Sequence, residues 1–302
     1  MKTAPRPRIA IVGAGRLGAA LFALLPRRGY RIGAVVLRRT AAAKAWRARP
    51  GRFRVTLSPV VGAREADLIL LAVPDGEIET LAQVLAAGRG LRWSSMIVLD
   101  LSGALGVEPL ESLRQLGADV GVLHPLQSIS GTRAAARVLA GSRARIEGTP
   151  RASRTARRIA KDLGLVPLRF ARPLDAPGRA LYHAAAALAG NDTLALLDVA
   201  AELLVDCGVE RAEAVAALAA LARGALSQVE ARGLGSALTG PVARGDTGVL
   251  AEHLRVLRRK SPETGEIHRL LSRRLLQLAS RSERPLSAGE RRRIARLLAE
   301  TQ

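Results

Sequence analysis

The sequence predicts an α/β fold: a doubly wound, mostly parallel sheet in the first half, followed by an all-helical second half. Three observations carry that prediction. The first half alternates short β-rich runs with helical patterns, the mark of βαβ units. Within it, Asp67–Val73 is a continuous apolar run closed by Pro74, as expected of a central strand covered on both faces. Beyond Arg172–Gly178, a stretch punctuated by Pro173, Pro177 and Gly178, apolar residues recur only at helical spacing. A chain of 302 residues suits two domains. We divide it into 1–172 and 173–302.

The first strand is Arg8–Val12, followed by a glycine loop and a helix that ends near Leu25, before Pro26. Arg31–Leu37 is the second strand and Arg54–Leu57 a short third. After the central Asp67–Val73 come a helix over Glu77–Ala87 and two buried strands, Met96–Leu101 and Val120–Leu123. Arg143–Glu147, a helix over Ala152–Leu163 and a strand over Leu165–Phe170 complete the first domain. The second is read as helices over Arg179–Cys207, Glu210–Glu230, Thr247–Arg259, Pro262–Ser280 and Ala288–Glu300. Their one long break is Gly233–Gly245.

Composition narrows the functional classes. Hydrophobic residues make up 48% of the chain and aromatics only 2%, so the core must be built from Ala, Leu, Val and Ile. No apolar run reaches the ~18 residues a membrane span needs, and Met1–Ile9 lacks the apolar stretch of a signal peptide. One cysteine, Cys207, excludes an internal disulfide and a multi-cysteine metal site. The expectation is a soluble, cytoplasmic protein without a metal, with Cys207 a small buried hydrophobe.

The formal charge of +21 invites a nucleic-acid reading. Only Lys2, Lys44, Lys161 and Lys260 are lysines among the 47 basic residues; the other 43 are arginines spread through every segment. That spread fits a global bias toward arginine better than a binding stripe, and there is neither zinc-finger spacing nor an aromatic stacking platform. Nucleic-acid binding through Arg291–Arg293 stays as a second reading, with affinity falling steeply with salt. A basic surface also steers anionic small molecules.

Gly13-Ala14-Gly15-Arg16-Leu17-Gly18 fits G-x-G-x-x-G between a strand and a helix, the context that gives the motif meaning. Gly13 makes the tight turn, Gly15 admits a pyrophosphate to the backbone, and Gly18 lets helix and strand pack closely. The helix N-terminus then offers free N–H groups to phosphate. This is a Rossmann dinucleotide site. An NAD site would carry an acid about 20 residues further on; Leu37-Arg38-Arg39-Thr40 stands there instead. Guanidinium groups suit a 2′-phosphate, so NADP is expected over NAD.

Several motifs then look familiar together. Leu71-Ala72-Val73-Pro74-Asp75 resembles the turn of pyrroline-carboxylate reductases, prephenate dehydrogenases and ketopantoate reductases. Leu101-Ser102-Gly103-Ala104, His124-Pro125-Leu126-Gln127-Ser128, Tyr182-His183-Ala184, Gly190-Asn191 and Leu238-Thr239-Gly240-Pro241…Arg244 resemble a bacterial family joining a Rossmann-like domain to a helical domain of unknown function. That family lies in the superfamily of phosphogluconate dehydrogenase. The resemblance implies an NADP-dependent oxidoreductase, a homodimer through the helical half, and cofactor contacts from Ala72, Val73 and Pro74. It departs at one point: relatives carrying a catalytic lysine on the first helix of the second domain have no counterpart, since no lysine lies between Lys161 and Lys260.

The residues themselves propose the chemistry. Ligands of an open α/β sheet lie outside the carboxyl ends of its strands, which puts His124 and Ser102 beside the reacting end of the cofactor. Reduction of C=O or C=N needs a proton donor, and histidine is the commonest. His183 is expected to be that acid, with His124 assisting. Asn191, ~80° from His183 around one helix at ~100° per residue, would position the reacting atom. Gln127, Ser128, Tyr182, Thr239 and Arg244 are candidate substrate contacts, Arg244 for a carboxylate. The substrate read from this set is a small, anionic carbonyl or imine compound. A non-catalytic NADP-responsive regulatory or assembly protein is the alternative.

Overall fold

A computed structural model describes residues 5–282 and 285–299. By compactness the chain divides into two units, 1–190 and 191–302. Compactness thus leaves the first helix past the Pro/Gly stretch with the sheet-bearing unit, whereas the sequence division followed composition.

The first unit runs β1 (Arg8–Val12), α1 (Arg16–Leu24), β2 (Arg31–Val36), α2 (Ala43–Arg47), β3 (Arg54–Thr56), α3 (Pro59–Ala63), β4 (Leu68–Leu71), α4 (Asp75–Ala86), β5 (Ile97–Asp100), α5 (Glu111–Gln115), β6 (Asp119–Leu126), α6 (Thr132–Leu139), β7 (Arg143–Gly148), α7 (Pro150–Leu163), β8 (Val166–Pro167) and α8 (Ala176–Ala189). The strands form one sheet in the order β3-β2-β1-β4-β5-β6-β7-β8. Pairs from β3 to β6 are parallel; β6 and β7 are antiparallel, and β7–β8 is parallel again.

Strand periodicity explains why this sheet is covered on both sides. Side chains of a strand alternate between faces, and in β4 Leu68 and Leu70 join one apolar cluster while Ile69 and Leu71 join the other. All four are fully buried. Truncating one to Ala would cost about 2–5 kcal/mol. Few aromatics are present, and three of them meet on one face, where Phe22 packs edge-on against Trp46 and Phe53.

The predicted fold class therefore holds, with local differences. β6 does not stop at Leu123: pairing with antiparallel β7 carries it on to Leu126, so His124 lies within a strand rather than after one. The expected strand at Leu165–Phe170 shrinks to Val166–Pro167. The short helices α2, α3, α5 and α6 have too few turns to show a period and were not expected.

The second unit holds α9 (Asn191–Asp206), α10 (Arg211–Ser236), α11 (Pro241–Arg244), α12 (Thr247–Lys260), α13 (Pro262–Ala279) and α14 (Ala288–Ala299). Glu210, Asp246 and Ser261 cap α10, α12 and α13 by accepting N–H groups of the first turn. Val242, Leu250, Leu254, Ala279, Leu286, Ile294 and Leu298 form its core.

Three expectations change here. The single helix over Arg179–Cys207 is two, α8 and α9, parted at Gly190, whose ψ of −79° departs from the helix. The shared-face argument linking His183 to Asn191 therefore falls, because Asn191 opens α9. Within the expected break, α10 continues past Glu230 to a non-helical Gly233 (φ 78°), and Arg244 ends a helical turn, α11, rather than lying in a loop. Cys207 is exposed, not buried, because it sits in the turn that follows α9. Among the described residues, no helix is long and apolar enough to cross a membrane.

Candidate functional site

The glycine loop joins β1 to α1 with a geometry only glycine permits. Gly13 has φ +97°, and a Cβ there would lie 2.2 Å from the Ala72 carbonyl oxygen. A Cβ on Gly18 would lie 2.0 Å from the Gly13 carbonyl oxygen, so α1 could not approach the loop. Gly15 differs: nothing lies within 4 Å of its added Cβ. It is the N-cap of α1 and supplies no side-chain acceptor to the first-turn N–H groups. Arg16 stands exposed at the first helical position, with Ala14 and Leu17 half-buried beside it. Open space over an uncapped helix start is what a pyrophosphate requires, so these residues fit a dinucleotide.

A cleft of about 380 Å³ opens beside the loop, lined by Gly13, Leu37, Arg38, Val73, Glu77 and Thr80 among others. It lies where the adenosine half of a dinucleotide would lie. Arg39 and Thr40 are exposed just past β2. Arg38 is not free: its Nη1 lies 2.5 Å from Glu77 Oε1 on α4. The sequence near Arg38 shows no acid, but β1–β4 pairing brings α4 alongside. Pro74, exposed, precedes α4 and leaves Ala72 and Val73 at the loop.

The second cluster lies three strands along the same sheet edge, roughly 14 Å at about 4.8 Å per strand. His124 Nδ1 lies 2.8 Å from the Tyr182 hydroxyl, and the two rings meet edge to face. Gly103 forms the floor. A Cβ on it would lie 2.8 Å from His183 Cδ2 and 2.9 Å from both Cε1 and Nε2 of His124, so the two imidazoles converge there and exclude any larger residue. Helix α8 is held in place by Arg179, which donates to the Leu174 carbonyl and pairs with Glu108 at 2.7 Å.

Protonation states follow from burial. Desolvation first, then the Arg145 cation and His183, pull His124 down to about 4, with Asp75 opposing. Burial pushes the Tyr182 phenol up to about 12. The phenol thus keeps its proton, and a neutral His124 accepts it at Nδ1. We assign the N–H of His124 to Nε2, the edge that faces Gly103.

Other expected contacts have occupations within the fold. Ser102 Oγ accepts the N–H groups of Ala104 and Leu105, each at 3.1 Å, shaping the turn that presents Gly103. Gln127 donates to the Val138 carbonyl and to Ser142 and accepts the Ser128 N–H, so its amide is committed. Ser128 is exposed. Asn191, Thr239 and Arg244 belong to the second unit.

Two residues that sequence reasoning missed stand at the centre. Asp100, fully buried at the end of β5, accepts the Ser102 N–H at 2.8 Å through Oδ1, and its Oδ2 has no partner among the described residues. Burial, helped by the charge of Asp75, raises it from 3.8 to about 7. Arg145, opposite His124 across the β6–β7 pair, is fully buried too. An aspartate closing an apolar strand was the available signal for the first; among 43 arginines nothing marked the second.

Comparison with known proteins agrees with this architecture. Residues 2–125 match the Rossmann-like domain and residues 142–275 match a domain of unknown function, DUF2520. No curated protein matches the chain. Among solved structures, a Bacteroides fragilis protein provisionally named an NADP oxidoreductase is 23% identical with a TM-score of 0.69, over 90% of this chain and 99% of that one. A Thermotoga maritima protein is 21% identical with a TM-score of 0.67, over 91% and 100%. Pyrroline carboxylate reductase of Plasmodium falciparum, solved with NADP bound, is 11% identical with a TM-score of 0.57, over 91% and 99%. These likenesses establish the fold.

Proposed function

We propose, from the match of residues 2–125 to a Rossmann-like domain and of residues 142–275 to DUF2520, that the chain is an NADP-dependent oxidoreductase acting on a small, anionic carbonyl or imine compound. The observation that carries the reading is the open, uncapped glycine loop with two histidines converging on Gly103 further along the same sheet edge. Structures on this fold named as an NADP oxidoreductase and as a pyrroline carboxylate reductase with NADP bound support it.

The bound nicotinamide would supply the hydride. The chain's own groups would handle the proton and the charge. His183, exposed beside His124, is positioned to donate a proton to the forming alkoxide or amine. Neutral His124 offers its Nε2–H as a hydrogen-bond donor to the same atom, held in that tautomer by Tyr182. Arg38 and Arg39 would pair with the 2′-phosphate, which requires Arg38 to exchange Glu77 for it. Arg244 would hold the substrate's anionic group.

A homodimer belongs to the same proposal. Leu221 and Leu226 on α10 are 70% and 60% exposed, apolar side chains that a second copy of the chain would cover.

The test is a titration with NADPH and NADH followed by fluorescence. NADPH should bind more tightly, and replacing Arg38 and Arg39 together by Ala should erase most of the difference. Equal affinities would remove the NADP preference, and no affinity for either would remove the oxidoreductase reading. A panel of ketones, imines and 2-oxo acids, with NADPH oxidation followed by absorbance, then identifies the substrate.

A further inference from the structure

A wholly buried arginine calls for an explanation, since taking a guanidinium out of water costs several kcal/mol before its partners contribute. Arg145 donates through Nη2 to the carbonyls of Ser102 (3.2 Å) and Leu105, and Nη1 lies 2.9 Å from Glu147 Oε1. Its Nε finds no hydrogen-bond partner among the described residues. The Tyr182 ring lies over the guanidinium, 5.5 Å from its central carbon. Such an incompletely paired buried charge adds little to stability compared with a well-packed apolar residue. Three of these four contacts, all but Glu147, belong to the histidine cluster. Ser102 and Leu105 bracket the turn whose Gly103 is the floor for both imidazoles. Tyr182 is the hydrogen-bond partner of His124. His124 itself stands directly opposite Arg145 in the antiparallel register, on the same face of the sheet.

We propose that Arg145 is a positioning residue for the histidine pair: it braces the Ser102–Leu105 turn and sets a permanent cation beside His124, so that His124 works only as a neutral hydrogen-bond donor. The proton of the reaction is thereby assigned to His183 and not to His124. Two features make the device effective. Arginine cannot lose its charge in the working pH range, and its planar fork holds Nη2 on both carbonyls and Nη1 on Glu147 at once, two separated nitrogens that a single ammonium does not supply. The other groups facing His124 are Tyr182 and His183 from α8 and Asp75 from α4. Asp75 acts in the opposite sense, so beside burial, the largest cause, the charge of Arg145 offsets the pull of this carboxylate for a proton on the ring.

The catalytic meaning rests on the proposed function, but the electrostatic and structural claims do not, and the experiment separates them. The His124 ring is followed by NMR in protein labelled at histidine Cε1, its resonance assigned by loss in H124N. In the wild type its titration midpoint should lie near 4. In R145M it should rise above about 5, and in R145K it should stay low. Hydrogen exchange of the Ala104 and Leu105 amides should accelerate at least tenfold in R145K, which keeps the charge and loses the fork. An unchanged midpoint in folded R145M overturns the electrostatic claim. Should R145M fail to fold, R145K decides: wild-type exchange at both amides overturns the bracing claim. With a substrate in hand, R145K should lower kcat more than it raises KM and leave NADPH affinity unchanged. If the NMR results hold while no NADPH binds, the proposed function fails and the Arg145 assignment stands.

Discussion

The Tyr182 hydroxyl donates to His124 Nδ1 across 2.8 Å, joining helix α8 to the middle of strand β6. This bond fixes which nitrogen of a neutral imidazole carries its hydrogen, and it does so from a helix that composition alone assigns to the other domain. Y182F deletes the donor and leaves the ring in place. His124 is then free to exchange tautomers, and kcat on a confirmed substrate should fall about fivefold, as for loss of one hydrogen bond of ~1 kcal/mol. The 15N shifts of the His124 ring at neutral pH, assigned by H124N, should move from a single Nε2–H tautomer toward a mixture. Retention of the wild-type shifts would remove Tyr182 from this role.

His183 carries the acid step in the proposed reaction. Loss of a general acid typically costs ~10²–10⁴ in rate. H183A should lower kcat by that order while still binding NADPH, whereas H124A should act mainly on KM. If H183A keeps full kcat and H124A is inactive, the two roles are exchanged. Single-substrate kinetics of both variants on one confirmed compound decides it.

Asp100 and His124 pull the pH dependence of stability in opposite directions. The folded-state pKa of Asp100 is raised from 3.8 to about 7, so between those values the folded protein holds a proton the unfolded chain releases. Its contribution is fully present below 3.8 and is lost as pH rises toward 7. For His124, lowered from 6.5 to about 4, the unfolded chain takes up the extra proton, and stability is lost as pH falls through that window. D100N removes the first effect and keeps an acceptor for the Ser102 N–H. Its urea midpoint relative to the wild type should therefore increase between about pH 4 and 8. The fluorescence of Trp46 and Trp93, both buried in the first unit, reports it. A midpoint difference independent of pH would show that Asp100 is ionised throughout.

The exposed leucines of α10 give a test of assembly. Light scattering at micromolar concentration should return the mass of a dimer for the wild type, and L221E with L226E should return a monomer. A monomeric wild type would remove the homodimer from the proposal.

Patterns that depend on neighbours in the chain were legible before the structure. The alternation of strands and helices, the doubly covered β4 and the glycine loop are local: side-chain period, turn geometry and helix start are set within a few residues, so the sequence by itself determined the α/β class, the helical second half and the dinucleotide loop. What only tertiary structure decided is which distant residues meet. His124, Gly103, Arg145 and Tyr182 come from β6, the turn after β5, β7 and α8, and no spacing links them. Strand order, which is non-local, also brought Glu77 to Arg38. The same is true of charge. Arg145 and Asp100 are ordinary residues in sequence; the fold alone sets the cation of the one opposite His124, and burial, which removes water from an ionised group, makes the other a carboxyl that titrates near neutrality.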